Sequence, residues 1–201
     1  MGKGRILVQA LYLILSIFLN TVLVSSGSTP ATVQWTPNEF TDNDFALMRT
    51  SDGMVIRLGD SREYLEERLG APIGTFGYNY SYEYEGFKIH YRDGVADAMF
   101  IDRSTTAKEL FQTVKQVTIG DQMEEVMAKY GEPVNLREDD RVTTASYYME
   151  RHNGSYRIVH KLTHSNNPDN MFTFNLQFDE EERLELIVFS EYRFFVPAKG
   201  K

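Results

Sequence analysis

The sequence predicts an α+β protein made of two tandem repeats, each a short capped helix followed by an antiparallel β-meander. The helices are expected on one face of a joined sheet, with a hydrophobic N-terminal helix outside the domain. Three observations carry this prediction. Residues 58–72 and 119–133 align without a gap and share Gly59/Gly120, Asp60/Asp121, Glu63/Glu124, Gly70/Gly131 and Pro72/Pro133. Each copy has a short apolar stripe at helical spacing, Leu65 and Leu69 in the first, Val126 and Tyr130 in the second. After each copy the apolar residues switch to alternation, the period of a half-buried strand. The implied division is 1–24 for a signal peptide or membrane anchor, 25–41 for a linker, 42–104 for the first repeat and 105–198 for the second.

At the N-terminus, Lys3 and Arg5 precede an apolar run from Ile6 to Val24, followed by Ser25, Ser26 and Gly27. A basic start, a hydrophobic stretch and small residues describe a cleavable signal peptide. The run also reaches the roughly 17–25 residues of a membrane span, so an uncleaved anchor with its basic end in the cytoplasm is the alternative. Both readings put the rest of the chain on the extracytoplasmic side, secreted or held at the cytoplasmic membrane by that segment. Residues 25–41, with Pro30, Pro37 and the single Trp35, read as a linker. Residues 45–50 and 54–58, joined at Ser51-Asp52-Gly53, predict a hairpin leading into the first helix.

In that helix Asp60 or Ser61 serves as N-cap, and Glu63 suits the positive helix end. Gly70 closes it with a left-handed backbone, and Pro72 blocks its continuation. Asp121, Glu124, Gly131 and Pro133 repeat those roles. All five identities thus have a backbone explanation, and the phrase reads as a structural staple rather than an active site. Phe76, Tyr78, Tyr80, Tyr82 and Tyr84 then alternate with Gly77, Asn79, Ser81 and Glu83, predicting one strand with a wholly aromatic face. Further strands are expected at 87–91 and 95–101. In the second copy an acidic connector at 137–141 leads to strands at 143–150, 155–162, 171–178 and 184–190. The aromatic tail from Tyr192 to Val196 is expected to pack back on the domain.

Composition narrows the function. The 201 residues, 42% hydrophobic, suffice for a real core. There is no cysteine, which excludes disulfides, thiolate catalysis and thiolate zinc sites. The net charge of −8 becomes more negative once Lys3 and Arg5 are set aside. Such a surface argues against nucleic acid as a partner, and against a membrane except through residues 6–24.

A capped helix ending in Gly-x-Pro, then an antiparallel meander, twice in tandem, resembles a known superfamily. The matching words are Leu58-Gly59-Asp60-Ser61 with Leu69-Gly70-Ala71-Pro72, and Ile119-Gly120-Asp121 with Tyr130-Gly131-Glu132-Pro133. They are similar to the β-lactamase inhibitory protein (BLIP)-like fold and its single-repeat relatives, the SmpA/OmlA-like small envelope lipoproteins. The resemblance implies two helix-plus-sheet units whose sheets join, one face covered by helices and the other open to a partner. It also implies an exported binding or assembly protein rather than an enzyme. The disulfides of the inhibitors have no counterpart here, and no binding residue carries over.

Tyr78, Tyr80, Tyr82 and Tyr84 are the candidate partner-binding residues, since an exposed tyrosine row offers rigid contact area with hydroxyls able to pair. The competing reading packs them under Leu65 and Leu69. His152, His160 and His164 fall in strand and turn patterns where their spacing does not bring them together, so no metal is expected, nor any other cofactor. The chain lacks Gly-x-Ser-x-Gly, His-Glu-x-x-His and a glycine-rich phosphate loop, and no catalytic residue is assigned. The expected function is an exported, non-enzymatic module presenting a sheet face to a protein or cell-envelope partner. A membrane-anchored structural or regulatory envelope protein without an exposed binding face is the alternative. A hydrolase using an unrecognised carboxylate pair is the third reading.

Overall fold

The computed structural model describes residues 35–76, 81–153, 155–161 and 167–195. The hydrophobic segment 6–24 lies outside them. Among the described residues no helix is long and apolar enough to cross a membrane.

The elements run β1 (Ala46–Arg49), β2 (Val55–Arg57), α1 (Arg62–Leu69), β3 (Gly74–Phe76), β4 (Ser81–Tyr84), β5 (Phe87–Arg92) and β6 (Val95–Asp102). They continue with β7 (Phe111–Thr113), α2 (Met123–Tyr130), β8 (Asn135–Glu138), β9 (Thr143–His152), β10 (Ser155–Ile158), β11 (Met171–Phe178) and β12 (Leu184–Glu191). The fold class is α+β, with antiparallel pairing throughout. The principal sheet has the order β10-β9-β11-β12-β6-β5-β4-β3, and β8 pairs with the start of β9. A small sheet, β2-β1-β7, stands apart from it.

Alternation along the strands sorts the side chains. Tyr147 and Met149 of β9, Phe172, Phe174 and Leu176 of β11, Ile187 and Phe189 of β12, Met99 and Ile101 of β6, and Ile89 of β5 are buried in one cluster. Leu47 and Ile56 of the small sheet, Leu65 of α1, and Val126 and Tyr130 of α2 complete it. Tyr130 lies against Phe174 with ring centroids 4.6 Å apart, fixing α2 on this face. Each large apolar side chain buried here contributes about 1.5–3 kcal/mol, so this layer holds the fold.

The duplicated phrase does one mechanical job twice. Gly59 and Gly120, with φ of 92° and 100°, sit in turns closed by Asp60 N to Arg57 O (3.2 Å) and Asp121 N to Thr118 O (3.3 Å). The carboxylates of Asp60 and Asp121 accept from Arg57 N (2.8 Å) and Thr118 N (3.0 Å). Both aspartates therefore close the turn before the helix and do not cap it. Ser61 is the first N-cap, accepting from Tyr64 N at 3.2 Å, while Gln122, the second, makes no side-chain cap.

Each turn is also stitched to a hairpin of the principal sheet. Gly59 N bonds Ala96 O (2.9 Å), Ala96 N bonds Asp60 O (2.9 Å) and Arg62 N bonds Gly94 O (2.8 Å). Gly120 N to Leu184 O (2.8 Å), Leu184 N to Asp121 O (2.8 Å) and Met123 N to Glu182 O (2.9 Å) repeat the pattern. At the far helix ends, Gly70 (φ 82°, ψ −178°) and Gly131 (φ 86°, ψ −169°) combine positive φ with extended ψ. That region is essentially restricted to glycine, and it replaces the left-handed helical closure expected from the sequence.

Three further expectations need correction. Residues 35–41 belong to the folded body, not to a linker: Phe40 is buried, and Asn38 N donates to Tyr130 O at 2.9 Å. The acidic connector is in part strand β8. The alternating stretch 76–84 is not one strand, because β3 and β4 form a hairpin with Phe76 opposite Ser81.

Candidate functional site

The register of the principal sheet defines a second face, turned away from the helices. Across it run the rows Lys88–Phe100–Val188–Asn175 and His90–Ala98–Ser190–Thr173–Tyr148. The C-terminal 3-10 turn, Tyr192–Phe195, folds over this face as the aromatic tail was expected to do. Phe194 meets His90 and Phe100 edge-on at 5.1 and 5.6 Å. The main chain is held by Arg92, whose Nη2 donates to Arg193 O at 2.6 Å and whose Nε donates to Asp97 at 2.9 Å. Asp97, buried beneath the tail, also bonds His90.

Between tail and sheet lies an open groove of about 490 Å3. Phe100, Tyr148, Leu186, Val188, Tyr192 and Phe195 form its walls, with Thr173 and Asn175 in its floor. Phe195 is 53% exposed, while Val188 is almost covered. Thr173 and Ser190 satisfy each other at 2.7 Å. Among the described residues the Asn175 side chain makes one long bond, to Thr173 Oγ1 at 3.4 Å, so its carboxamide is a polar group the groove can offer a ligand. Among the described residues the lining holds hydroxyls and a carboxamide but no acid, ammonium or imidazole. It can hold an apolar group and orient it through one or two hydrogen bonds.

A charged pair borders the apolar strip. Lys88 Nζ reaches both Asp102 oxygens at 2.9 Å and Ser104 Oγ at 2.6 Å, and lies 5.0 Å from the centre of the Phe76 ring. Burial, the largest influence on Asp102, pushes its pKa up; the bonds from Ser104 and Lys88 together outweigh it and leave the carboxyl below its ordinary value.

Of the four tyrosines singled out from the sequence, the two within the described residues, Tyr82 and Tyr84, do not stand on an open face. Tyr82 stands opposite Ile89 and Tyr84 opposite Phe87, which places both on the helix-covered face. Tyr84 is 2% exposed, bonded through its hydroxyl to Tyr91 at 3.0 Å, and burial raises its pKa. Tyr82 is half-buried beneath Arg62, whose guanidinium lies 4.3 Å from the ring centre. Phe76 is on the other face, edge-on to Phe100. Tyr78 and Tyr80 lie outside the described residues. Gly59, Asp60, Gly70, Pro72, Gly120, Asp121, Gly131 and Pro133 occupy turns and helix ends and line no part of the groove.

His152 and His160 are exposed, and His164 lies outside the described residues. Among the described residues no three His, Asp or Glu side chains gather where they could hold a metal. The groove itself had one sequence signal. Residues 99–101 and 186–189 are apolar without alternation, the mark of a strand covered or sticky on both faces. The chain matches no protein-family model, no curated protein and no solved structure.

Proposed function

We propose that this protein is an extracytoplasmic, non-enzymatic binding module of two tandem helix-plus-meander repeats. It takes an apolar segment of a protein partner into the groove on the helix-free face of its sheet. The observation that carries this reading is the groove: half-exposed Phe100, Tyr148 and Leu186 beside the open ring of Phe195, on a face that neither α1 nor α2 covers. Aromatic and aliphatic anchors around a few polar groups are the composition of binding hot spots. The duplicated stitch between turn, helix and hairpin supports the tandem reading. The sequence of residues 1–24 supports export. The resemblance to BLIP-like and SmpA/OmlA-like proteins points the same way.

Leu186→Asp and Phe195→Asp test it. Each sits at the groove surface, so neither is expected to lower the melting temperature by more than a few degrees. A partner retained by the wild-type chain from the envelope fraction, and confirmed with the purified partner, is lost with both variants. Unchanged retention by both would refute the groove as the docking site. The second reading, an envelope module with no free face, is favoured by the tail already covering part of this surface. It gains if Leu186→Asp unfolds the protein.

A further inference from the structure

A second cleft, of about 370 Å3, opens where the Gly59 turn and the 42–45 turn meet the Glu191 end of the principal sheet. We propose that it binds a free aromatic amino acid, taken up through its carboxylate, its ammonium and its ring. This site is independent of the groove and of the function assigned to it. Its apolar part is a cluster of three rings: Phe45–Tyr156 at 4.6 Å, Phe45–Phe172 at 5.1 Å and Tyr156–Phe172 at 5.2 Å between centroids. Leu58 adds an aliphatic wall. The space is near the lower end of small-ligand pockets, about 300–1,000 Å3, which suits one amino acid better than a folded peptide.

Four charged side chains rim the cleft, and two are committed to each other. Asp42 accepts from the Tyr156 hydroxyl at 2.8 Å and from Arg151 at 3.3 Å. The other two are not. Among the described residues the nearest cation to Glu191 is Arg193, at 3.8 Å, beyond hydrogen-bond reach. Burial nevertheless raises the Glu191 pKa, with the nearby Asp97 charge adding to it. A half-buried carboxylate without a short partner among the described residues is a cost to the fold that a ligand ammonium would relieve. Among the described residues, the Arg57 guanidinium has one side-chain contact, Asn43 Oδ1 at 3.4 Å. Its planar fork is matched to a carboxylate. A guanidinium, a carboxylate and a cluster of aromatic rings lining one cleft match the carboxylate, ammonium and ring that an aromatic α-amino acid presents.

Isothermal titration of the full chain with three probes tests the assignment: L-phenylalanine, N-acetyl-L-phenylalanine, which lacks the ammonium, and L-phenylalaninamide, which lacks the carboxylate. Phenylalanine is expected to bind in the millimolar range or tighter, and each derivative at least tenfold more weakly. Arg57→Met should abolish the difference between phenylalanine and its amide, and Glu191→Gln that between phenylalanine and its acetyl derivative. No binding of phenylalanine, or equal binding of all three probes to the wild-type chain, overturns the proposal. The probe comparison needs no variant, so it holds even if a substitution disturbs folding.

Discussion

Gly70 and Gly131 occupy matching places in the duplicated phrase, with nearly the same φ, 82° and 86°. Their surroundings differ. A Cβ on Gly70 would meet nothing within 4 Å, whereas on Gly131 it would lie 2.5 Å from Asn38 Oδ1 and 2.7 Å from Asn38 N. That nitrogen donates to Tyr130 O at 2.9 Å, and Gly131 O accepts from the Tyr147 hydroxyl at 2.7 Å. Gly70→Ala therefore carries backbone strain alone, of order 1–3 kcal/mol. Gly131→Ala carries the same strain and must also push Asn38 away. The extra terms are a lost hydrogen bond, about 0.5–1.5 kcal/mol, and overpacking, about 1–3 kcal/mol. Gly131→Ala should thus be less stable than Gly70→Ala by about 2–4 kcal/mol, or roughly 5–15 °C in melting temperature for a chain of this size. Urea unfolding followed by circular dichroism measures the difference. The fluorescence of Trp35, half-buried three positions before Asn38, should shift to the red in Gly131→Ala only. Equal destabilisation by the two alanines would refute the packing of residues 35–41 on the end of α2.

Other outcomes follow from buried charge and from the turns. Lys115 is buried beside Asp44 at 3.4 Å and bonds Glu39 O at 3.0 Å, so Lys115→Met strands a carboxylate and should cost about 3–5 kcal/mol by urea unfolding. Adding Asp44→Asn should recover part of that loss; a double variant as unstable as the single one contradicts the pairing. The raised Glu191 pKa means that its protonated form is favoured by folding. Its contribution is fully present below the ordinary 4.5 and is lost as pH rises through the folded value. Glu191→Gln should accordingly be more stable than wild type at pH 7, with the advantage vanishing in melts near pH 4. Asp102 has the opposite sign: its contribution is present above the ordinary 3.8 and is lost as pH falls through the lowered folded value. Lys88→Met should shrink that acid-side loss in the same melts. Asp60→Ala and Asp121→Ala each remove one turn-closing acceptor and should cost similar amounts, about 1 kcal/mol.

Local chemistry explains what was readable beforehand. Both helices announce themselves through glycine stops and first-turn acids, β11 through alternation from Phe172 to Phe178 before a polar turn, and β12 through a short apolar run after that turn. The tyrosine stretch misleads because its alternation continues through a chain reversal. Gly77 and Asn79 are turn formers, but aromatic residues at every second position hide that signal. Strand β8 is exposed at all four positions, so it carries no apolar pattern to read. Strand β7 is three residues long and pairs with β1, far back in the chain, a contact that no local window contains. The groove is half-legible. Phe100, Leu186 and Val188 show that β6 and β12 are apolar on the outer side, but the tail folding over them is a tertiary fact.

The seam between β6 and β12, from Leu186 opposite Asp102 to Ser190 opposite Ala98, has a kinetic consequence. Apart from β9–β11, which β10 separates, the other ladders of the principal sheet join consecutive strands and can zip up as soon as their turns have formed. The seam must wait for nearly the whole second half of the chain. Until then β6 presents bare amides and carbonyls along a strand apolar on both sides, a template for pairing with another chain. Closing so long a loop should set the folding rate, and a nascent or slowly delivered chain is most vulnerable to aggregation in the interval before Leu184 arrives. The hazard to this protein is therefore one of timing, concentrated in a single unpaired edge that the finished molecule conceals at its centre.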